Sequence, residues 1–442
     1  MYRFPSFLCA TLLLASLSLS GAQRTAAQEP DAPNELGRSD FVGMAIRDPY
    51  YEWGSDSALP DQPNRAFQDQ MGVLLERAGV IWVRFEFHVR SADIDAELAK
   101  HDYFINEVAP RHGLKVLALL AFDLVPGRTM WELNCTKIDE PGRCVLKSSE
   151  TKYGGGVNHY MNDWLDHALR IADRYGASIA AYEVLNEENR LPPSGLGIAP
   201  TMTGRLLTKF YRFCHGIESG EAAHGCDTAK IILGGIHPRG TSDTKKPSTI
   251  AQTDAQYLTS IYTDTASFAG FKSNPAHPYY PLDGVAYHPY PEEIRLSPNQ
   301  AQVDKGMERM RAVLNQYDAL QQFWITEIGY NVAFYRNTER DLEPFVRDVF
   351  SSLAARELPG GLPEVANTFW FKYEDFAPAD GKDAQKWGMV RIPFQADATR
   401  PDGTRYSATG LPIMVRGTYT VLRELTGMPA DPPRVFLPLL GS

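Results

Sequence analysis

Eight times along this chain a short apolar run of strand character gives way to a longer stretch of helical periodicity. The strand-like runs are residues 41–46, 80–85, 114–122, 179–185, 230–236, 283–287, 323–326 and 365–373. The helical stretches that answer them are 66–78, 92–108, 157–175, 203–221, 254–262, 302–320, 343–357 and 411–426. Runs that are apolar at successive positions suit parallel strands covered by helices on both faces. Eight such units in one series predict an α/β chain, a single (β/α)8 TIM barrel over residues 39–427. In the stretch 157–175, Trp164, Leu165, Ala168 and Ile171 form the apolar stripe such a helix would lay on the barrel. The longest interruption, residues 123–156, holds Trp131 and a glycine triplet.

The two ends lie outside the repeat. Arg3, the apolar stretch Phe7 to Leu19 and the small residues Ser20-Gly21-Ala22 have the order of a secretory signal, so residues 1–22 are expected to be removed. Its apolar run is too short for a transmembrane helix. Residues 23–38 read as a flexible lead and 428–442 as a proline-rich tail. A secreted, periplasmic or extracellular location is therefore expected, with no transmembrane helix once the signal is gone. Cys9 leaves with the signal, and Cys135, Cys144, Cys214 and Cys226 remain. In an oxidising compartment four cysteines allow three pairings. Proximity in the chain favours Cys135–Cys144 and Cys214–Cys226. No CxxC or His pair supports a metal site. The formal net charge is −10 without a basic block, which argues against nucleic acid as a partner and disfavours strongly anionic polymers as substrates. No phosphate loop, dinucleotide glycine pattern, GxSxG or HExxH is found, so no cofactor is implied.

Two of the apolar runs lead into carboxylates. Residues 179–190 read IAAYEVLNEENR, and residues 323–329 read FWITEIG. Asn186-Glu187 and Thr326-Glu327 thus fall where strands four and seven meet their loops, on the barrel face where catalytic groups are placed. Asn-Glu after a fourth strand and Thr-Glu after a seventh resemble the clan A retaining glycoside hydrolases, with family 39 the nearest likeness and family 5 the next. Where that family's motif often continues with proline this chain has Glu188, and where a histidine often stands near strand three it has Phe122-Asp123.

The resemblance implies a carbohydrate substrate and two carboxylates in double displacement: Glu187 as general acid/base and Glu327 as nucleophile, about 5–5.5 Å apart. Glu183 and Glu188 are rivals for the acid role. The resemblance further implies that Asn186 bonds the sugar 2-hydroxyl. Arg84, near the end of the second strand, would keep the nucleophile ionised. His288 and Tyr290 after the sixth strand would position the nucleophile or the sugar, and Trp370 in the eighth would stack on a sugar ring. His237, after the fifth strand, is a further candidate contact, and Tyr50, Trp53, Trp131, Tyr330 and Trp387 could extend the cleft. Two alternatives stay open: a carbohydrate-binding barrel without turnover, and an inverting enzyme with carboxylates about 6.5–9.5 Å apart.

Overall fold

The computed structural model describes residues 33–46, 61–121, 124–128, 130–135, 146–147, 152–190, 197–217, 222–238, 253–290, 299–333, 338–376, 386–391, 394–396, 406–408 and 414–430. Eight parallel strands close into a barrel in sequential order. They are β1 (Val42–Ala45), β2 (Trp82–Glu86), β3 (Lys115–Leu120), β4 (Ala181–Asn186), β5 (Lys230–Ile236), β6 (Gly284–Tyr287), β7 (Phe323–Ile328) and β8 (Val365–Phe371), with β8 paired back onto β1. Each begins and ends within two residues of its expected run. The outer helices used below are α1 (Asp61–Arg77), α2 (Ile94–Ala99), α3 (His159–Tyr175), α4 (Pro200–Cys214), α5 (Asp254–Tyr262), α6 (Phe268–Lys272), α7 (Gln300–Tyr317), α8 (Glu339–Ala354) and α9 (Gly417–Leu425).

The helix starts follow from side chains that satisfy the first backbone N–H groups. Asn158 accepts from the Met161 amide ahead of α3, and Thr253/Gln256 and Asn299/Gln302 form reciprocal boxes ahead of α5 and α7. On α3, Trp164, Leu165, Ala168 and Ile171 are all fully buried, as the stripe requires. Several helical stretches depart from expectation: 411–426 becomes helical only at Gly417, 92–108 breaks after Ala99, and 66–78 begins earlier, at Asp61. The stretch 203–221 stops being helical at Cys214, because Gly216 adopts φ +60° and the Ile217 amide turns back to the Arg212 carbonyl. Cys214 is bonded to Cys226 just beyond that stop. Cys135 is also disulfide-bonded, while Cys144 lies outside the described residues.

Inside the barrel, seven strands each contribute one side chain to a closed apolar layer: Trp82, Leu117, Ala181, Ile232, Ala286, Trp324 and Phe369. The remaining strand, β1, contributes Gly43, where a Cβ would come within 2.5 Å of the Phe369 ring. Trp82 meets Trp324 edge-on at 5.2 Å. Two residues further along the same strands, the side chains turn polar: Arg84, Glu183, His288 and Thr326. This second layer is the base of the candidate site, at the C-terminal end of the barrel.

The expected signal and most of the lead, residues 1–32, lie outside the described residues, as do Tyr50, Trp53, Phe122, Asp123 and the tail from 431. Among the described residues no helix is long and apolar enough to cross a membrane.

Candidate active site

Strict alternation along β4 would turn Leu185 into the lumen after Ala181 and Glu183. Instead Leu185 adopts φ +72° and Glu187 φ +47°. The first reversal sends Leu185 out into the helix-facing core and brings Asn186 inward; the second aims Glu187 at the mouth. A non-glycine residue in this region carries strain of about 1–3 kcal/mol, held here by its surroundings. Gly234 on β5 makes room for it, since a Cβ there would lie 2.4 Å from the Leu185 carbonyl oxygen. The Glu187 amide then donates to the Gly235 carbonyl at 3.0 Å. On β7 the pairing with β8 slips between Thr368 and Trp370, whose partners are Ile325 and Ile328. The extra residue in β7 lets Thr326 and Glu327 both serve the interior.

The side chains so delivered form one connected network. The Arg84 guanidinium donates to Glu183 Oε2 (2.5 Å) and Oε1 (3.2 Å), to Glu327 Oε1 (2.7 Å) and to Asn186 Oδ1 (2.8 Å). Because a guanidinium can only donate, it fixes the Asn186 amide with Nδ2 as the group left to donate. Tyr290 donates its hydroxyl to Glu327 Oε2 at 3.2 Å. Glu183 also accepts from the Gly235 amide and the Thr326 hydroxyl, both at 2.9 Å. Having given its proton to Glu183, Thr326 must accept from His288 Nε2, 3.0 Å away. That leaves His288 Nδ1 facing both candidate catalytic carboxylates, 3.2 Å from Glu187 Oε1 and 3.7 Å from Glu327 Oε2. One atom each of Glu187, His288 and Glu327 lie within 4.8 Å of one another, a set that could also hold a cation. The two carboxylates keep side-chain exposures of 14% and 11%, enough to be reached from the mouth.

The charges follow from this packing. Burial raises the Glu187 pKa, but the hydrogen bond and charge of His288, with the charges of His237 and Arg190, outweigh it and hold the carboxyl down to about 2. Arg190 Nη1 reaches Glu187 Oε2 at 2.7 Å. Burial lowers the His288 pKa, yet the Glu327 charge and the Glu187 contact raise it above its ordinary value. Burial and the Glu327 charge push Tyr290 well above the usual phenol range, so it donates rather than ionises. The 3.2 Å contact thus lowers the Glu187 pKa and raises that of His288, which favours the imidazole as the holder of a proton shared by the pair.

The other expected residues fall on both sides. His237 follows β5 beside Glu187: its amide donates to Asn189 Oδ1 (2.9 Å), and Asn189 Nδ2 donates back to its carbonyl (2.8 Å). Trp370 requires a correction. It is fully buried on the outer side of β8, its ring 6.4 Å from that of Phe345 on α8, and offers no face to the mouth. Phe369 and Phe371, on either side of it, take the inward positions. Trp387, half-buried, stands edge-on to both Tyr290 (5.8 Å) and Phe371 (5.7 Å). Tyr330 is likewise buried against Phe345. Neither rival carboxylate reaches the mouth: Glu183 is the buried partner of Arg84, and Glu188 is buried at 1% exposure. Glu183 as the anchor of the network was missed, although a glutamate interrupting one apolar strand and an arginine interrupting another signal a buried pair.

No protein-family model matches the sequence, and no curated protein matches it. Solved structures do. A β-glucosidase from Thermotoga maritima aligns over 90% of this chain and 100% of its own, at 11% identity and a TM-score of 0.51. The virulence factor SghA, solved with the substrate analogue salicin, aligns over 88% and 96%, at 12% identity and a TM-score of 0.51. This chain has their fold. A family 39 glycoside hydrolase from Bacteroides cellulosilyticus WH2 aligns over 90% of this chain at 11% identity and a TM-score of 0.49; the chain spans 65% of that protein's length.

Proposed function

We propose that this chain is an exported, retaining glycoside hydrolase of the clan A type, cleaving β-glycosidic bonds in an oligosaccharide or polysaccharide. The observation that carries the reading is the Glu187–His288–Glu327 set, with a carboxylate oxygen of each glutamate inside 4.8 Å. That closeness favours direct attack by one carboxylate over the wider separation of an inverting pair.

On this reading Glu327 attacks the anomeric carbon, and the glycosidic oxygen leaves with the proton shared by Glu187 and His288. The two donors on Glu327, Arg84 and Tyr290, fix the carboxylate and aim its free lone pairs. Once the glycosyl ester forms, the Glu327 charge that sustained the imidazolium is gone. Glu187 then takes a proton from water, whose oxygen attacks the ester and releases Glu327. On the same reading Asn186 Nδ2 bonds the sugar 2-hydroxyl and Trp387 meets a ring face.

The test is turnover of a panel of aryl β-glycosides by wild type and Glu327→Ala, with a 2-deoxy-2-fluoro glycoside as a trap. Loss of several orders of magnitude in the variant, and a covalent adduct on Glu327 by mass spectrometry, are expected. Equal activity in both proteins, or an adduct elsewhere, would remove Glu327 as nucleophile. Silence from both, with glycan binding retained, would leave a carbohydrate-binding barrel.

A further inference from the structure

Arg190 sits on the carboxylate oxygen that the proposed chemistry needs free. Glu187 Oε1 faces His288 Nδ1 at 3.2 Å, while Oε2 accepts from Arg190 Nη1 at 2.7 Å. A carboxyl that protonates a glycosidic oxygen must carry the proton on an oxygen turned toward the leaving group. Oε1 is turned to the imidazole, which leaves Oε2 for that task. A guanidinium is always charged and only donates, so on Oε2 it opposes protonation. A substrate that draws Arg190 away therefore readies the acid.

The backbone of Arg190 is tied down and its side chain is not. Its amide donates to the Glu187 carbonyl at 2.8 Å, and its carbonyl accepts from the Gly197 amide at 2.9 Å. The Ile198 amide closes the same turn on the Glu188 carbonyl at 2.7 Å. The Arg190 side chain is 40% exposed against 14% for Glu187, and among the described residues its guanidinium bonds nothing but Glu187. One of five N–H groups is used, so an edge of the fork stays open. The sequence that follows, residues 191–196, reads LPPSGL and contains no carboxylate to fill it. A glycosidic oxygen within hydrogen-bond reach of Oε2 would stand within about 6 Å of this guanidinium, on the leaving-group side of the bond.

We propose that Arg190 is a subsite for a carboxylate carried by the leaving-group unit of the substrate, a role that rests on the reading of Glu187 as general acid/base. A planar carboxylate matches the open edge of the fork with two parallel hydrogen bonds. In forming them it takes the guanidinium off Oε2, so the acid is released when the matching substrate is in place. The formal net charge of −10 describes the whole chain, whereas this cation stands beside the bond to be broken.

The test compares 3-carboxyphenyl and 3-carbamoylphenyl β-glycosides of the sugar that the aryl glycoside panel identifies. The two leaving groups share a shape and differ in charge, and kcat/KM reads the step in which they depart. Wild type should favour the carboxylate about tenfold or more, and the preference should shrink as sodium chloride is raised. In Arg190→Gln the ratio should fall to about one. Arg190→Lys keeps the charge without the fork and should lie between. Each ratio is taken within one protein, so a loss of folded enzyme cancels; if a variant turns over neither glycoside, the wild-type ratio and its salt dependence decide. A wild-type ratio near one, a ratio indifferent to salt, or a full ratio in Arg190→Gln or Arg190→Lys overturns the proposal, while turnover of the neutral glycoside keeps the hydrolase reading standing. Silence of the wild type on both removes that reading, and this proposal with it.

Discussion

Glu188 gives the sharpest quantitative test of the structure. It follows the proposed acid, is 1% exposed, and among the described residues its carboxyl oxygens have no partner beyond its own backbone amide. Burial, with the nearby Glu183 and Glu187 charges, pushes its pKa from 4.5 up to about 8. The folded protein then holds a proton that the unfolded chain releases above pH 4.5. Stability must fall as pH rises from 4.5 to 8, by about 1.4 kcal/mol per pH unit, and the penalty reaches about 3 kcal/mol at pH 7. Glu188→Gln removes the titration and keeps the shape. Urea denaturation of both proteins at pH 4.5 and pH 7 isolates the effect, because every other titrating group cancels in the difference. The amide brings a constant offset of its own, so the change in the gap is what counts. The variant should gain about 3 kcal/mol on the wild type between the two pH values. An unchanged gap would mean that Glu188 is ionised and solvated in the folded protein, and the reasoning would fail.

Three further outcomes follow from the same network. Gly235→Ala would place a Cβ 2.0 Å from His288 Nε2, so the imidazole must move off Thr326 and Glu187; activity should collapse while the fold, checked by circular dichroism, persists. Arg84→Lys keeps the charge but cannot reach Glu183, Glu327 and Asn186 together, and kcat/KM should drop about tenfold to a hundredfold. The alkaline limb of kcat/KM should lie above pH 6.5, because the imidazole pKa is raised by Glu327 and Glu187. In His288→Ala the proton has only Glu187 to rest on, and that limb should move to lower pH; an unmoved limb would refute the shared proton.

The barrel was legible in the chain because strands buried on both faces are apolar throughout, a pattern that eight repeats make unambiguous. The same property hides which residues face inward. A strand without a polar face has no readable parity, and so Trp370 was expected at the mouth when Phe369 and Phe371 hold the inner positions. Asn186, Glu187, Thr326 and Glu327 were legible as strand ends, but their aim depends on a left-handed Leu185 and an extra residue in β7, neither of which has a sequence signature. The overlong α4 was avoidable, since Gly216 marks the stop. Trp387 was only one of several loop aromatics, because nothing local ties residue 387 to Tyr290.

The apolar layer of Trp82, Trp324 and Phe369 beneath the polar network closes the barrel from below among the described residues. On the proposed function a glycan is then not threaded through the barrel but presented from above and withdrawn on the same side. On the proposed chemistry, the aglycone has to clear the mouth before water can reach the ester. Whatever else crowds the entrance at that moment, an alcohol included, competes with water for the sugar, so at high acceptor concentration the same architecture should build glycosides as well as break them.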